Sequence, residues 1–157
     1  MEATQLPIEL CTINFQHDGN LGFLIRAAAC FGVRTIHVIG DHPPRSILNP
    51  LSGSLYDYVD IHKYSKPSEF LDYSNKNEIK LVSAEFSETS KSIFAFDFDF
   101  TSPICLVVGQ EECGVPVEIL LRSEHIYIPM PGVGFCLNTS QAGNIILYEA
   151  SKQYTLR

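Results

Sequence analysis

The sequence predicts an α/β fold, with an open and mostly parallel sheet and helices on both of its faces. Two observations lead to this fold class. Short β-rich runs alternate along the chain with segments of helical periodicity, and residues 104–108 form a fully apolar strand. The length of 157 residues suits one domain with a sizeable core, so we expect residues 1–157 to form a single unit.

The predicted elements follow from where each pattern begins and ends. Strands are predicted at residues 8–14, 35–39, 58–62, 79–86, 104–108 and 126–129. Helices are predicted at residues 21–31, 68–73, 116–122 and 139–153. Residues 88–101 are the least regular region: phenylalanine alternates with alanine or aspartate over residues 94–100, which fits either an edge strand or a packed loop.

The helix predicted at residues 21–31 contains a single charged residue, Arg26. Its apolar residues form two stripes, Leu21, Leu24, Ile25 and Ala28 on one face and Phe23, Ala27 and Cys30 on a second. We therefore expect this helix to be buried on most sides. A guanidinium in that position requires a carboxylate, backbone carbonyls or a ligand. Two explanations stay open, a buried Arg–Glu pair that fixes the packing and a functional contact.

Composition limits the class of protein. The chain is 45% hydrophobic and 18% charged, and this apolar excess suggests an oligomer interface. No apolar run is long enough to span a membrane, and the first residues lack the pattern of a signal peptide. We expect a cytoplasmic protein that does not bind membranes.

The five cysteines are odd in number and lack CxxC spacing, which indicates reduced thiols. We expect Cys11, Cys30 and Cys105 in the core, and Cys113 and Cys136 in accessible loops. The histidines show no metal-binding spacing, so no metal site is predicted.

The net charge of −7 argues against a nucleic-acid partner, because RNA-binding surfaces usually carry positive charge. A local basic patch would have to form in the first half of the chain. The candidate residues for it are Arg34, Arg45, Lys63 and Lys66.

Ligands bind at the carboxyl ends of strands in an open parallel sheet, so the turns after the strands are the candidate site. The first turn contains Asn20, placed to cap the following helix. In the second turn, Gly109 frees the backbone and Glu111 is a candidate partner for Arg26. The third turn ends at Asn138, which with Gln141 resembles a capping box. For Asn20 and Asn138, a capping role alone remains an alternative.

Two common phosphate-binding signatures, GxGxxG and GxxxxGK[ST], do not occur in these turns. Binding of an ordinary dinucleotide or nucleoside triphosphate is therefore not expected.

In order and spacing, the three turns resemble the motifs of the SpoU/TrmH family of SPOUT methyltransferases. These enzymes transfer a methyl group from S-adenosylmethionine to a ribose 2′-hydroxyl of RNA. The matching motifs are Asn20-x-Gly22-x-x-x-Arg26, Gly109-x-Glu111-x-x-Gly114, and Ile128-Pro129-Met130 followed by Leu137-Asn138-x-Ser140. The compact chain resembles most the minimal tRNA members that methylate the ribose of a wobble nucleotide.

The resemblance implies a C-terminal trefoil knot, an S-adenosylmethionine cofactor, an RNA substrate (tRNA before rRNA) and a homodimer with the active site near its interface. The positions that it implies for the cofactor are Ala84, Glu85, Gly109, Ile128, Cys136 and Leu137. The catalytic candidates that it implies are Arg26, Asn20, Glu111 and Asn138. Because a guanidinium stays protonated, we assign Arg26 to orienting phosphate and ribose and stabilising the developing alkoxide.

Two positions depart from the family pattern, Cys136 where serine is common and Gln110 where asparagine is common. Together with the acidic charge, Cys136 keeps open a catalytically inactive, knotted protein that binds cofactor, RNA or a partner. An unrelated α/β domain that binds a small anion is a third possibility. An accessory protein that supplies RNA affinity would reconcile the acidic charge with an RNA substrate.

Overall fold

The computed structural model describes residues 3–157 and contains a seven-stranded parallel sheet with the strand order β3-β2-β1-β6-β4-β7-β5. The strands are β1 (Ile8–Ile13), β2 (Thr35–Ile39), β3 (Asp60–Tyr64), β4 (Lys80–Ala84), β5 (Lys91–Ser92), β6 (Ile104–Val108) and β7 (Ser123–Tyr127). The helices are α1 (Asp18–Cys30), α2 (Arg45–Leu51), α3 (Pro67–Lys76), α4 (Val117–Leu120) and α5 (Thr139–Thr155). The expectation of no signal peptide includes Met1 and Glu2, which lie outside the described residues.

Strand β6 is the centre of the fold because all five of its residues are apolar and buried. It pairs in parallel with β1 on one side and β4 on the other. One core contains Ile25, Leu48 and Leu147 from α1, α2 and α5, and a second contains Phe70 and Ile119 from α3 and α4. The predicted α/β class with helices on both faces is confirmed; the trefoil knot stays a prediction.

Helix α2 was not expected from the sequence. Its segment begins after Pro44 and contains Pro50, and prolines usually mark turns. Pro44 is the N-cap of the helix and Pro50 lies in its last turn, where the missing N–H is tolerated within so short a helix.

Several element boundaries also differ from expectation. Helix α1 begins at Asp18, three residues early, and β7 begins at Ser123 instead of residue 126. Residues 88–101 combine both predicted alternatives, since β5 is a two-residue edge strand and the loop after it buries Phe96 and Phe98.

The four cations named as candidates for a local basic patch are mostly paired with carboxylates. Three of the four form ion pairs with aspartates: Arg34 with Asp60, Arg45 with Asp57, and Lys63 with Asp41. These three positive charges are therefore matched locally by negative ones, which opposes a basic patch.

All five cysteines are free. Cys11 and Cys105 are buried as predicted, and burial raises the pKa of both thiols. Cys113 and Cys136 are exposed as predicted. Cys30 is also exposed, so its expected place in the core was wrong. Within the described residues, no helix has the length and apolar character needed to cross a bilayer.

Candidate active site

The turns after β4, β6 and β7 meet the N-terminus of α5 around a cavity of about 870 Å³. Its apolar wall is formed by Val108, Ile126, Ala142 and Ile146. All six positions proposed from the sequence for the cofactor line this cavity: Ala84, Glu85, Gly109, Ile128, Cys136 and Leu137. The fold therefore brings together residues from three turns that are far apart in sequence.

The turn after β6 is closed by its own backbone. Gln110 N donates to Gly114 O at 3.1 Å, and Gly114 N donates to Gln110 O at 3.0 Å. A Cβ at Gly109 would lie 2.6 Å from the carbonyl carbon of Gly114, so only glycine fits there. The Gln110 side chain accepts from Glu112 N at 2.8 Å and Cys113 N at 2.7 Å. Glutamine at this position thus stabilises the turn.

A chain of three side chains joins the turns. Asn138 Nδ2 donates to Asn20 Oδ1 at 3.0 Å, and Asn20 Nδ2 donates to Glu111 Oε1 at 2.7 Å. The Glu111 carboxylate also accepts from Gln16 N at 3.1 Å and His17 N at 3.3 Å. Three of the four predicted catalytic residues therefore form one network, which we call the Asn–Glu–Asn network (Asn20, Glu111 and Asn138).

The Glu111 carboxylate is held in its charged form. Burial raises its pKa, but the hydrogen bonds that it accepts from Gln16, its own amide, Asn20 and His17 together bring the pKa below its usual value. A carboxylate with a lowered pKa is a weak base, so Glu111 is better suited to positioning other groups than to abstracting a proton.

The two asparagines differ in their relation to the helices. Asn138 is the N-cap of α5, as predicted, and its Oδ1 accepts from Ser140 N at 2.9 Å and Gln141 N at 3.4 Å. Asn20 is buried inside α1, whose N-cap is His17, so the prediction of a cap at Asn20 was wrong. A capping role alone therefore cannot explain Asn20.

Arg26 is exposed. Helix α1 is buried on most sides, as expected, but Arg26 lies on its one exposed stripe together with Phe23, which is 57% exposed, and Cys30. Glu111 is not the partner of Arg26, because it binds the first turn of α1, about 9 Å along the axis from Arg26. Among residues 3–157, no hydrogen bond or ion pair to Arg26 is found.

Several residues of the cavity were missed by sequence reasoning. His17, Phe86 and Phe135 line it, and the two phenylalanines are 78% and 92% exposed. Each phenylalanine neighbours a predicted position, Glu85 or Cys136, and this adjacency was the available signal. Across the described part of the chain, no cluster of three or more His, Cys, Asp or Glu residues suitable for a metal is present.

Comparison with known proteins gives a family match over residues 7–148, to the SpoU rRNA Methylase family. The chain is 26% identical over 153 residues to the tRNA (guanosine(18)-2′-O)-methyltransferase of Escherichia coli K12. The match covers 95% of this chain but 65% of that relative, so the chain spans under two thirds of its length.

A second relative is closer in length. The chain is 26% identical over 147 residues to a putative tRNA (cytidine(34)-2′-O)-methyltransferase of Geobacillus stearothermophilus, covering 85% of this chain and 87% of the relative. Among solved structures, the SpoU methyltransferase AviRb of Streptomyces viridochromogenes with its cofactor AdoMet superposes with a TM-score of 0.84. Its sequence identity is 25%, and the match covers 100% of this chain and 63% of AviRb.

Proposed function

Because the chain belongs to the SpoU rRNA Methylase family, we propose that it methylates a ribose 2′-hydroxyl of RNA with S-adenosylmethionine as methyl donor. One observation carries the proposal. The three family motifs, distant in sequence, converge on a single cavity and are tied together there by the Asn–Glu–Asn network.

The cavity is of a suitable size for S-adenosylmethionine. Its volume of about 870 Å³ lies within the range of roughly 300–1,000 Å³ that is typical of ligand sites. We propose that the six residues named from the sequence hold the cofactor, with Gly109, Ile128 and Leu137 contributing backbone groups. Backbone contacts also accommodate Cys136 where relatives commonly have serine, since the amide is unchanged by the side chain. When bound, S-adenosylmethionine supplies a methyl group on a positively charged sulfur.

The chain's own residues position the ribose. The Asn–Glu–Asn network fixes the turns beside the cavity, and we assign it no proton transfer because Glu111 is a weak base. Because a guanidinium is a permanent cation and donor, we propose that the Arg26 side chain orients the phosphate and ribose and stabilises the developing alkoxide. The proton of the 2′-hydroxyl then leaves to an oxygen of the nearby RNA phosphate.

Arg26 lies outside the cavity of its own protomer, and a homodimer resolves this separation. The outer faces of α1 and α5 expose Phe23, Ile145 and Tyr148 at 57%, 41% and 57%. The rings of Phe31 and Tyr148 pack 5.9 Å apart and join the two helices into one surface. We propose that this surface is the dimer interface. Dimer formation then brings Arg26 close to the target ribose when RNA is bound.

For the substrate we propose tRNA. The Escherichia coli and Geobacillus stearothermophilus relatives are named as tRNA methyltransferases, and the latter is similar in length to this chain. Within tRNA we propose the wobble ribose, because the Geobacillus stearothermophilus relative is named for cytidine 34 and the match covers 87% of it. A catalytically inactive binding protein has no support from these relatives, which are named as enzymes.

The test is transfer of radiolabelled methyl from S-adenosylmethionine to tRNA lacking ribose methylation, with unmodified rRNA in parallel. We expect label at a 2′-oxygen of tRNA. Label in rRNA alone would overturn the choice of substrate, and cofactor binding without label in either RNA would contradict the proposed reaction.

Two variants sharpen the assay. Arg26→Lys should lose most turnover while S-adenosylmethionine still binds, because lysine keeps the charge but loses the planar donor fork. Arg34→Lys is the matched control, since Arg34 is also exposed but pairs with Asp60 away from the cavity. Retained turnover in Arg26→Lys would contradict the role of Arg26.

A further inference from the structure

The turn after α2 lies directly against the guanidinium of Arg26. A Cβ placed on Gly53 would be 3.3 Å from Arg26 Cζ, 3.3 Å from Nη1 and 3.5 Å from Nε. If the edge of the guanidinium pointed at Gly53, its nitrogens would be clearly nearer than Cζ. Because Cζ is as near as the nitrogens, the flat face of the guanidinium packs on Gly53.

This face contact leaves the edge of the guanidinium free. All N–H donors of arginine lie in the plane of the group. Within residues 3–157, no carboxylate or carbonyl accepts from Arg26, and the side chain is exposed. The turn therefore fixes the orientation of Arg26 without using the donors that would bind phosphate or ribose.

The turn itself is held firmly in place. Ser52 is fully buried, and its Oγ donates to Asn49 O at 2.9 Å. Ser54 N also donates to Asn49 O, at 2.8 Å. On the side of α1, a Cβ at Gly22 would lie 2.4 Å from Leu51 Cβ, so helix and turn meet at backbone contact distance. Gly22 lies one helical turn before Arg26.

From this geometry we propose that Gly53 is a positioning residue for the methyl-transfer reaction, acting by orienting the Arg26 guanidinium. The inference rests on the proposed function and deepens it. A side chain at residue 53 shifts the guanidinium by a few tenths of an ångström, because its Cβ would lie closer to Cζ and Nη1 than nine in ten ordinary contacts. The turn at Gly53 therefore supports catalysis although none of its residues lines the cavity.

A simpler role for Gly53 must be separated from this one. Its φ of +64° is strained for most residues, so the glycine could serve the turn alone. Asparagine adopts this left-handed conformation more readily than alanine does. A purely conformational role predicts that Gly53→Asn keeps its turnover, whereas the positioning role predicts a loss in both Gly53→Ala and Gly53→Asn.

The experiment measures kcat, S-adenosylmethionine affinity and thermal unfolding for both variants. We expect kcat to fall several-fold while cofactor affinity stays unchanged, because a shift of a few tenths of an ångström is smaller than the misplacement of about 1 Å that costs roughly 100-fold. In the Arg26→Ala background, Gly53→Ala should cause no further loss. Ser54→Ala is the matched control, since Ser54 shares the turn and has a φ of +65°, and within residues 3–157 it forms no hydrogen bond with Arg26.

Three results would overturn the proposal: wild-type turnover in Gly53→Asn, losses that multiply in the double variant, or an Arg26 Nε–H NMR signal that Gly53→Ala does not shift. The NMR signal is assigned by its absence from Arg26→Lys. If the wild-type chain does not methylate RNA, the proposed function fails, and the NMR signal still decides whether Gly53 positions Arg26. Should Gly53→Ala not fold, Gly53→Asn carries the same test.

Discussion

The two halves of the sheet each contain a polar network, but only one of them opens to a cavity. Beneath α3, His37 is fully buried, with Nε2 2.5 Å from Glu9 Oε2 and Nδ1 3.1 Å from Tyr64 Oη. We call these three residues the His37 cluster. The rings of Phe70 and Tyr73 lie 5.2 and 4.9 Å from the imidazole and cover it.

The Asn–Glu–Asn network lies beyond the carboxyl ends of β1 and β6, where no helix covers it fully. Asn20 is buried, Glu111 is half-buried and Asn138 is exposed, so the network runs from the interior to the cavity. In the His37 cluster both ring nitrogens have partners, and burial raises the pKa of Tyr64. The comparison separates a closed network, which contributes stability, from an open one, which positions groups for chemistry.

The largest expected effect comes from breaking the closed network. His37→Ala leaves a cavity at a fully buried position and removes the hydrogen-bond partner of Glu9, which should lower the free energy of unfolding by about 3 kcal/mol. Chemical denaturation measures this loss. Methyl transfer per folded molecule should stay close to wild type.

The control for this prediction is His62→Ala. His62 is exposed, and its ring lies 5.4 Å from that of His37. His62→Ala should lower the free energy of unfolding by under about 1 kcal/mol. A fall in kcat for folded His37→Ala would show that the two networks are coupled and would end the distinction drawn between them.

The next effect comes from the open network. Glu111→Gln keeps the shape of the side chain but replaces one acceptor oxygen by a donor, which opposes the N–H groups of Gln16 and His17 or Asn20 Nδ2. We expect kcat to fall roughly 100-fold through misplacement of the turns. Glu112→Gln, at the exposed neighbouring residue, should leave kcat unchanged.

The same carboxylate predicts a pH dependence. Because the folded-state pKa of Glu111 is below its usual value, its contribution to stability is present above that usual value. The contribution is lost as the pH falls through the lowered pKa. Thermal unfolding of wild type and Glu111→Gln should therefore converge in acid, and a constant gap across this range would contradict the network as described.

Asn138 offers a smaller and more selective effect. Asn138→Ala removes both the cap of α5 and the link to Asn20, and it should destabilise the protein by about 1 kcal/mol. Asn138→Asp keeps an oxygen for the cap but loses the N–H donated to Asn20. We expect this variant to retain its melting temperature and to lose turnover. Equal turnover in Asn138→Asp and wild type would reduce Asn138 to a helix cap.

The contrast between the two networks also marks what the sequence could predict. Gly109, Glu111 and Asn138 were found because each follows a strand or precedes a helix at a position where backbone geometry restricts the residue type. The His37 cluster escaped notice, since its members come from three strands and meet only when β1, β2 and β3 pair. Side chains that meet only through strand pairing are far apart in sequence, so no local motif predicts that they will form a cluster.

The surroundings of Arg26 could not be predicted either, because they too depend on how distant segments pack together. The apolar stripes of α1 predicted a helix buried on most sides, but Phe23 and Cys30 of the second stripe are exposed in the protomer. Helical periodicity identifies a face that needs cover without saying whether the chain or a second copy supplies it. The turn at Gly53 follows α2, a helix that its prolines hid from sequence reasoning.

The smallest expected effect concerns how salt changes RNA binding. Seven of the eleven Lys and Arg residues form ion pairs with carboxylates among residues 3–157: Arg34, Arg45, Lys63, Lys80, Lys91, Lys152 and Arg157. With a net charge of −7, few cations remain to displace counterions from RNA, Arg26 among them.

If about two phosphates are neutralised, tRNA affinity should fall only roughly 10-fold between 50 and 200 mM salt. Binding titrations over this range measure the slope, and Arg26→Ala should flatten it further. A steep dependence would show that the paired cations exchange their carboxylate partners for phosphate. If the isolated chain binds tRNA too weakly to measure, adding fractions of a cell extract tests whether an accessory protein supplies the missing positive charge. A slope that steepens with such a fraction would place the electrostatic part of recognition on that partner and leave this chain to position the ribose.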